Sequence, residues 1–168
     1  MRDIAAQHCY LAESFETSVP WSKVTTLCAK VRERLIAACV KQGVDTTRML
    51  VSFRVTQVYE TGAAVYIYFG YNYAHSKIPA DRVIQAYEDI ENETRDEILK
   101  QGGSLSHHHG IGKIRKRFTS RIMPGTAVDL LGDLKKSLDP KNVFSINNTI
   151  YRLPNEEADE LSGKHHNH

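Results

Sequence analysis

The stretch Gly102-Gly-Ser-Leu-Ser-His-His-His-Gly-Ile-Gly-Lys113 holds the densest set of reactive side chains in this 168-residue sequence. Glycines let a backbone approach a ligand closely, and imidazoles exchange hydrogen bonds and protons near neutral pH. The cations that follow, Lys113, Arg115, Lys116 and Arg117, attract phosphate. The combination suits an anionic, phosphorylated ligand. A metal site, an expression tag and a solvated loop are the competing readings. His107, His108 and His109 are successive, so their side chains diverge and need further ligands to make a metal site; none is expected. A tag belongs at a terminus, where His165, His166 and His168 form part of a polar tail.

Tyr66 and Tyr68 are the second candidates. Aromatic residues in a strand ordinarily pack, but a tyrosine on an open sheet face can also work as an acid or base if neighbours tune it. Arg2 and Arg54 are candidate anion binders beside the basic cluster at 113–117, although each alone reads better as a solvated surface charge.

Residues 8–15 have the pattern of a short strand, ended by Glu16-Thr17-Ser18 and Pro20. From Pro20 to Gln42 the positions Val24, Leu27, Cys28, Val31, Leu35 and Cys39 fall on one helical face, and Gly43 supplies the stop. Residues 49–59 and 63–71 alternate as two strands joined at Glu60-Thr61-Gly62, a hairpin. A second helix starts near Pro79 with Val83, Tyr87, Ile90, Thr94 and Ile98 on one face, and Gly102-Gly103 closes it. A short strand at 104–106 completes βαββαβ, the split βαβ order of an α+β, ferredoxin-like domain with an antiparallel sheet. Parity places Val65, Ile67 and Phe69 beneath the helices and Tyr66, Tyr68, Arg54 and Thr56 on the open face. A third helix at 125–138, with Ala127, Leu131, Leu134 and Leu138 on one side, ends at Asp139-Pro140. The expected division is 1–106, 107–150 and a disordered tail at 151–168.

Composition excludes several classes. With 22 basic against 20 acidic residues the formal charge is +2, which gives no general attraction to nucleic acid. The chain lacks an apolar run long enough for a membrane span and begins without a secretory core, so it reads as soluble. Cys28 and Cys39, eleven residues apart on one helix, lie roughly 16 Å from each other and cannot bridge; reduced thiols are expected throughout.

The histidine segment 102–113 resembles the signature of alkylglycerone-phosphate synthases. Four further segments resemble that family in the same order: Glu13-Ser-Phe-Glu-Thr-Ser-Val-Pro-Trp21, Arg54-Val-Thr-Gln57, Tyr66-Ile-Tyr-Phe69 and Leu138-Asp-Pro-Lys-Asn-Val-Phe144. These are flavoproteins of the vanillyl-alcohol-oxidase type. The resemblance implies that 1–106 is part of a cap or substrate domain and that 107–150 returns to complete an FAD-binding domain, most of which has no counterpart here. The chain is then expected to be a C-terminal fragment, inactive alone. The implied reaction exchanges the acyl group of acyl-dihydroxyacetone phosphate for a long-chain fatty alcohol, an ether-lipid step in which FAD undergoes no net redox. Carried over by position, Tyr66 is the catalytic tyrosine and Arg2 the substrate-binding arginine. His107, His108 and His109 are the activity-critical loop, and Asn148 marks a C-terminal activity segment. The resemblance also implies a homodimer, a peroxisomal location and membrane-surface association for lipid substrates. A 2-hydroxyacid dehydrogenase of the same superfamily, or a truncated non-catalytic remnant, is the alternative; the former carries Gly-Glu-His-Gly where this sequence has His-His-His-Gly.

Overall fold

A computed structural model describes residues 7–144. Arg2, Asn148 and the tail at 151–168 lie outside the described residues. The chain divides into two compact units, 1–109 and 110–168.

The first unit is α+β, as the periodicities predict. Its strands are β1 (Tyr10–Pro20), β2 (Leu50–Val58) and β3 (Gly62–Asn72), all antiparallel in the order β1-β3-β2. The helices are α1 (Val24–Lys41) and α2 (Val83–Lys100). Leu27, Val31 and Leu35 from α1 and Ile90 and Ile98 from α2 meet Phe15, Val65, Ile67 and Phe69 from the sheet in one core. The helices therefore cover one sheet face, and that face carries the apolar half of the β3 alternation. Gly43 ends α1 with φ +82°, a left-handed conformation that a side chain would strain. All three cysteines are free.

Three expectations change. First, β1 does not stop before Glu16-Thr17-Ser18 but runs through them to Pro20. Glu16 and Thr17 are buried, and their polar groups are satisfied by the segment that follows α2. Second, Ser104–Ser106 is not a strand. The Ser104 N–H donates to the Ser18 carbonyl at 2.9 Å, but the Ser18 N–H is taken by the Ser104 hydroxyl at 2.8 Å rather than by a backbone carbonyl, so no ladder propagates along β1. Gly103 permits this approach: a Cβ there would lie 2.6 Å from Thr17 Oγ1 and 2.9 Å from Leu27 and Ile98. Third, a β-bulge between Val55 and Gln57 leaves Thr56 unpaired in the register. Arg54 stands opposite Tyr66, but it is Gln57, not Thr56, that stands opposite Ala64. The bulge thus moves Gln57 onto the open face in place of Thr56.

The helix face of α2 carries more than its apolar stripe. Glu91 and Arg95 are buried there and paired, with the Arg95 guanidinium 4.8 Å from the Phe15 ring centroid.

The second unit contains a short helix, α3 (Gly112–Arg115), a 3-10 segment at Lys116–Arg121 and α4 (Gly125–Leu138). α4 has the expected span but a different inward side. Val128 is its buried residue, while Leu134 and Leu138 are exposed. Lys135 occupies the sheltered side instead, donating to the Asp139 carboxylate and, at 2.6 Å, to the Phe144 carbonyl. Asp139 also accepts from the Val143 and Phe144 amides, both at 2.9 Å; the Lys135 ammonium first, then these amides, hold its carboxyl at about 2. Asp139 is thereby the hinge of the turn that ends α4.

Candidate active site on the open sheet face

Glu16, Tyr66 and Arg54 stand in register across β1, β3 and β2 and so share the face opposite the helices. Glu16 is only 1% exposed although it carries a charge. One of its oxygens, Oε1, accepts from Ser106 Oγ at 2.8 Å and from the consecutive amides of His107, His108 and His109 at 2.8, 3.0 and 2.9 Å. Burial pushes the Glu16 carboxyl up, but these four hydrogen bonds outweigh it and hold the group at about 2, against 4.5 unperturbed. The amides that would have continued a strand instead converge on one carboxylate. The histidine loop is folded around an anion supplied by the protein itself.

With its amides pinned, the loop projects all three imidazoles toward the sheet. His108 Nε2 lies 2.7 Å from the Tyr66 hydroxyl and His109 Nε2 3.0 Å from it. His107 Nε2 lies 2.7 Å from the Tyr59 hydroxyl, which in turn donates to Gln57 Oε1 at 2.9 Å. The Nδ1 atoms of His107 and His108 are 3.0 Å apart, and the second Glu16 oxygen is 3.2 Å from His108 Nδ1. Tyr68 stacks beside Tyr66, ring centroids 5.7 Å apart. Partial burial of the phenol, then the negative charge of Glu16 and the neighbouring Tyr68, push the Tyr66 hydroxyl above its usual range. Tyr66 therefore rests as a phenol, and any use of it as a base needs a partner that takes its proton. His108 and His109 are placed for that.

Among the described residues, Glu16, His107 and His108 bring metal-ligand atom types within 4.8 Å of one another. Hydrogen bonding accounts for the same atoms: 3.0 Å between two Nδ1 atoms is an N–H to lone-pair distance, and the carboxylate already serves four donors through Oε1.

Sequence reasoning singled out Tyr66, His107, His108, His109 and Arg54, and these meet on one sheet face. It missed Glu16, Ser106, Gln57 and Tyr59 as parts of the site. Phe15, Thr17 and Val19 alternate with Ser14, Glu16 and Ser18, a signal that puts Glu16 on the face of Tyr66. The bulge that brings in Gln57 and Tyr59 has no such signal. The basic cluster belongs to the second unit, where Arg115 donates to the Gly110 carbonyl at 3.1 Å and Arg117 and Arg121 lie against Phe118.

Because the Glu16 carboxyl falls from 4.5 to about 2 on folding, its charged form stabilises the native state. That contribution, about 3 kcal/mol, is fully present above pH 4.5 and is lost as pH falls toward 2. Urea unfolding of the chain between pH 6 and 2 is expected to show it, and Glu16→Gln should flatten the acid limb. The same limb in Glu16→Gln as in wild type would remove Glu16 as its cause.

Residues 1–147 match the family model described as FAD linked oxidases, C-terminal domain. An alkyldihydroxyacetonephosphate synthase of Caenorhabditis elegans is 46% identical over 150 residues, covering 89% of this chain and 24% of that protein. An uncharacterized FAD-linked oxidoreductase, YgcU, of Escherichia coli O157:H7 is 34% identical over 95 residues, 56% of this chain and 19% of that protein. A solved alkyldihydroxyacetonephosphate synthase superposes with TM-score 0.57 at 22% identity over 86% of this chain and 22% of its own, which supports the fold. The chain spans about a quarter of the length of the curated alkyldihydroxyacetonephosphate synthases it matches. With the family model covering 1–147, the chain belongs to the family of FAD linked oxidases, C-terminal domain, and within it is similar to alkyldihydroxyacetonephosphate synthases.

Proposed function

We propose that this chain is the part of an ether-forming alkyl transferase that moves the substrate proton. The enzyme exchanges the acyl group of acyl-dihydroxyacetone phosphate for a long-chain fatty alcohol. The observation that carries this reading is the Tyr66 hydroxyl held between His108 and His109 at 2.7 and 3.0 Å on an open, partly exposed sheet face. The 46% identity to an alkyldihydroxyacetonephosphate synthase supports the choice of chemistry.

The open face fits a flat, polar cofactor: Tyr66 and Tyr68 offer an aromatic wall, and the imidazole edges of His108 and His109 offer donors beside it. FAD, when bound, supplies a covalent partner for the substrate carbon without net redox change. The rest is work for this chain's side chains. Tyr66, having given its proton to His108, takes one from the carbon beside the ketone and later returns it. His109 donates to the tyrosine oxygen and lowers the cost of its negative charge. Arg54, across the strand from Tyr66, is the cation placed to receive the phosphate, with Arg2 assigned to the substrate by family resemblance. The same resemblance carries the homodimer, the peroxisomal location and action at a membrane surface.

The FAD-loaded full-length transferase of which this chain is a part, given acyl-dihydroxyacetone phosphate and hexadecanol, is expected to release fatty acid and form the alkyl ether while the flavin spectrum stays oxidised. Bleaching of the flavin by a 2-hydroxyacid, with no ether formed, would favour the dehydrogenase reading instead.

A further inference from the structure

The hydrogen bonds around the histidines form a continuous chain whose donors and acceptors can be assigned one by one. The Tyr59 hydroxyl gives its single proton to Gln57 Oε1. His107 Nε2, 2.7 Å from the same hydroxyl, must then be the donor to it, so neutral His107 carries its proton on Nε2 and a lone pair on Nδ1. His108 Nδ1, 3.0 Å away, must donate to that lone pair. Neutral His108 therefore has its lone pair on Nε2, facing the Tyr66 hydroxyl at 2.7 Å.

The opposite polarity, with every proton turned round, would take the single Tyr59 proton away from Gln57 Oε1 and would leave a lone pair on His108 Nδ1 facing the Glu16 carboxylate at 3.2 Å, lone pair against anion. In the first polarity the lone pair nearest that carboxylate is the one on His107 Nδ1, farther off at 3.7 Å. Glu16 cannot be the donor, because its carboxyl is ionised at any pH above about 2. The buried carboxylate thus selects one direction.

We propose that Tyr66, His108, His107 and Tyr59 form a proton wire from the reacting face to the surface, with Gln57 orienting the Tyr59 hydroxyl and Glu16 as the positioning residue that sets the polarity. The proposal rests on the reading of Tyr66 as the proton-transfer residue. Each step moves one proton: Tyr66 to His108 Nε2, His108 Nδ1 to His107 Nδ1, His107 Nε2 to the Tyr59 oxygen, and the Tyr59 hydroxyl proton to water. Tyr66 ends as phenolate, every intermediate group has lost one proton and gained one, and solvent has gained one. His108 then presents an N–H to the phenolate, which stabilises it. The exit is open: Tyr59 is 47% exposed, Gln57 is exposed, and an open cavity of about 450 Å³ between Ser18, Pro20, Thr61 and Ala63 has Tyr59 and His107 in its wall. The β-bulge at Val55/Gln57 makes the exit possible, because it turns Gln57 toward the histidine side.

Two measurements test it. In ring-nitrogen NMR of the full chain, above the pH at which the imidazoles titrate, His108 is expected as the Nδ1–H tautomer and His107 as Nε2–H. The Nε2–H form is the usual one for a free imidazole, so finding it at His108 overturns the wire. The second uses the FAD-loaded full-length transferase of which this chain is a part and acyl-dihydroxyacetone phosphate deuterated at C1. Wild type is expected to lose the transferred deuteron to solvent, whereas the ether that Tyr59→Phe forms, at whatever rate, should retain that label several-fold more. Equal label loss in Tyr59→Phe would overturn the exit through Tyr59. Tyr66→Phe separates the two ideas: if it turns over normally, the reading of Tyr66 fails, and the His108 tautomer still decides the polarity.

Discussion

Tyr66→Phe is expected to lower the rate of ether formation by about a hundredfold to ten-thousandfold while leaving the fold and substrate affinity nearly unchanged. The substitution removes one hydroxyl and keeps the ring that stacks on Tyr68. That hydroxyl is the meeting point of His108 and His109, so its loss disconnects both imidazoles from the substrate. Tyr68→Phe is the control. Tyr68 shares the face, but no hydrogen bond of the histidine network reaches it, and its variant should keep most of the activity. A Tyr66→Phe enzyme within a factor of three of wild type would return Tyr66 to a packing role.

Arg95→Ala is expected to cost about 3–5 kcal/mol of stability. Glu91 and Arg95 are both buried, at 6% and 3% exposure, and they pair with each other one helical turn apart. Removing the cation leaves a carboxylate without a counterion under the sheet and also removes the guanidinium packed on Phe15. Replacing both partners with apolar residues of similar volume, Glu91→Leu with Arg95→Met, should recover most of the loss, because no stranded charge remains. Urea denaturation of the full chain measures both. A cost below 1 kcal/mol for Arg95→Ala would mean that water reaches the pair.

What was legible in the sequence follows from which signals are local. The alternation of Val65, Ile67 and Phe69 against Tyr66 and Tyr68 fixed the buried and open faces of β3, and the spacing of Leu27, Val31 and Leu35 fixed the inward side of α1. Polar residues misled wherever their partners are distant in sequence. Glu16 reads as a strand breaker because its donors lie about 90 residues later, at Ser106 to His109. Glu91 and Arg95 lie off the apolar stripe read for the second helix, and each neutralises the other in the core. The strand expected at 104–106 failed because the Ser104 hydroxyl, not a backbone carbonyl, takes the Ser18 N–H, a side-chain contact that spacing does not reveal. The bulge at Thr56 leaves no mark in the alternation, so Gln57 and Tyr59 could not be placed beside His107 from sequence.

The central claim is that Tyr66, backed by a histidine loop folded on Glu16, moves a proton at the substrate carbon. The most direct measurement is exchange of the C1 hydrogens of acyl-dihydroxyacetone phosphate with deuterated solvent, followed by NMR in the FAD-loaded full-length transferase that contains this chain, before any alcohol is added. Wild type is predicted to exchange one of the two hydrogens and Tyr66→Phe neither. Exchange at the wild-type rate in Tyr66→Phe would contradict the account and assign the base to another group.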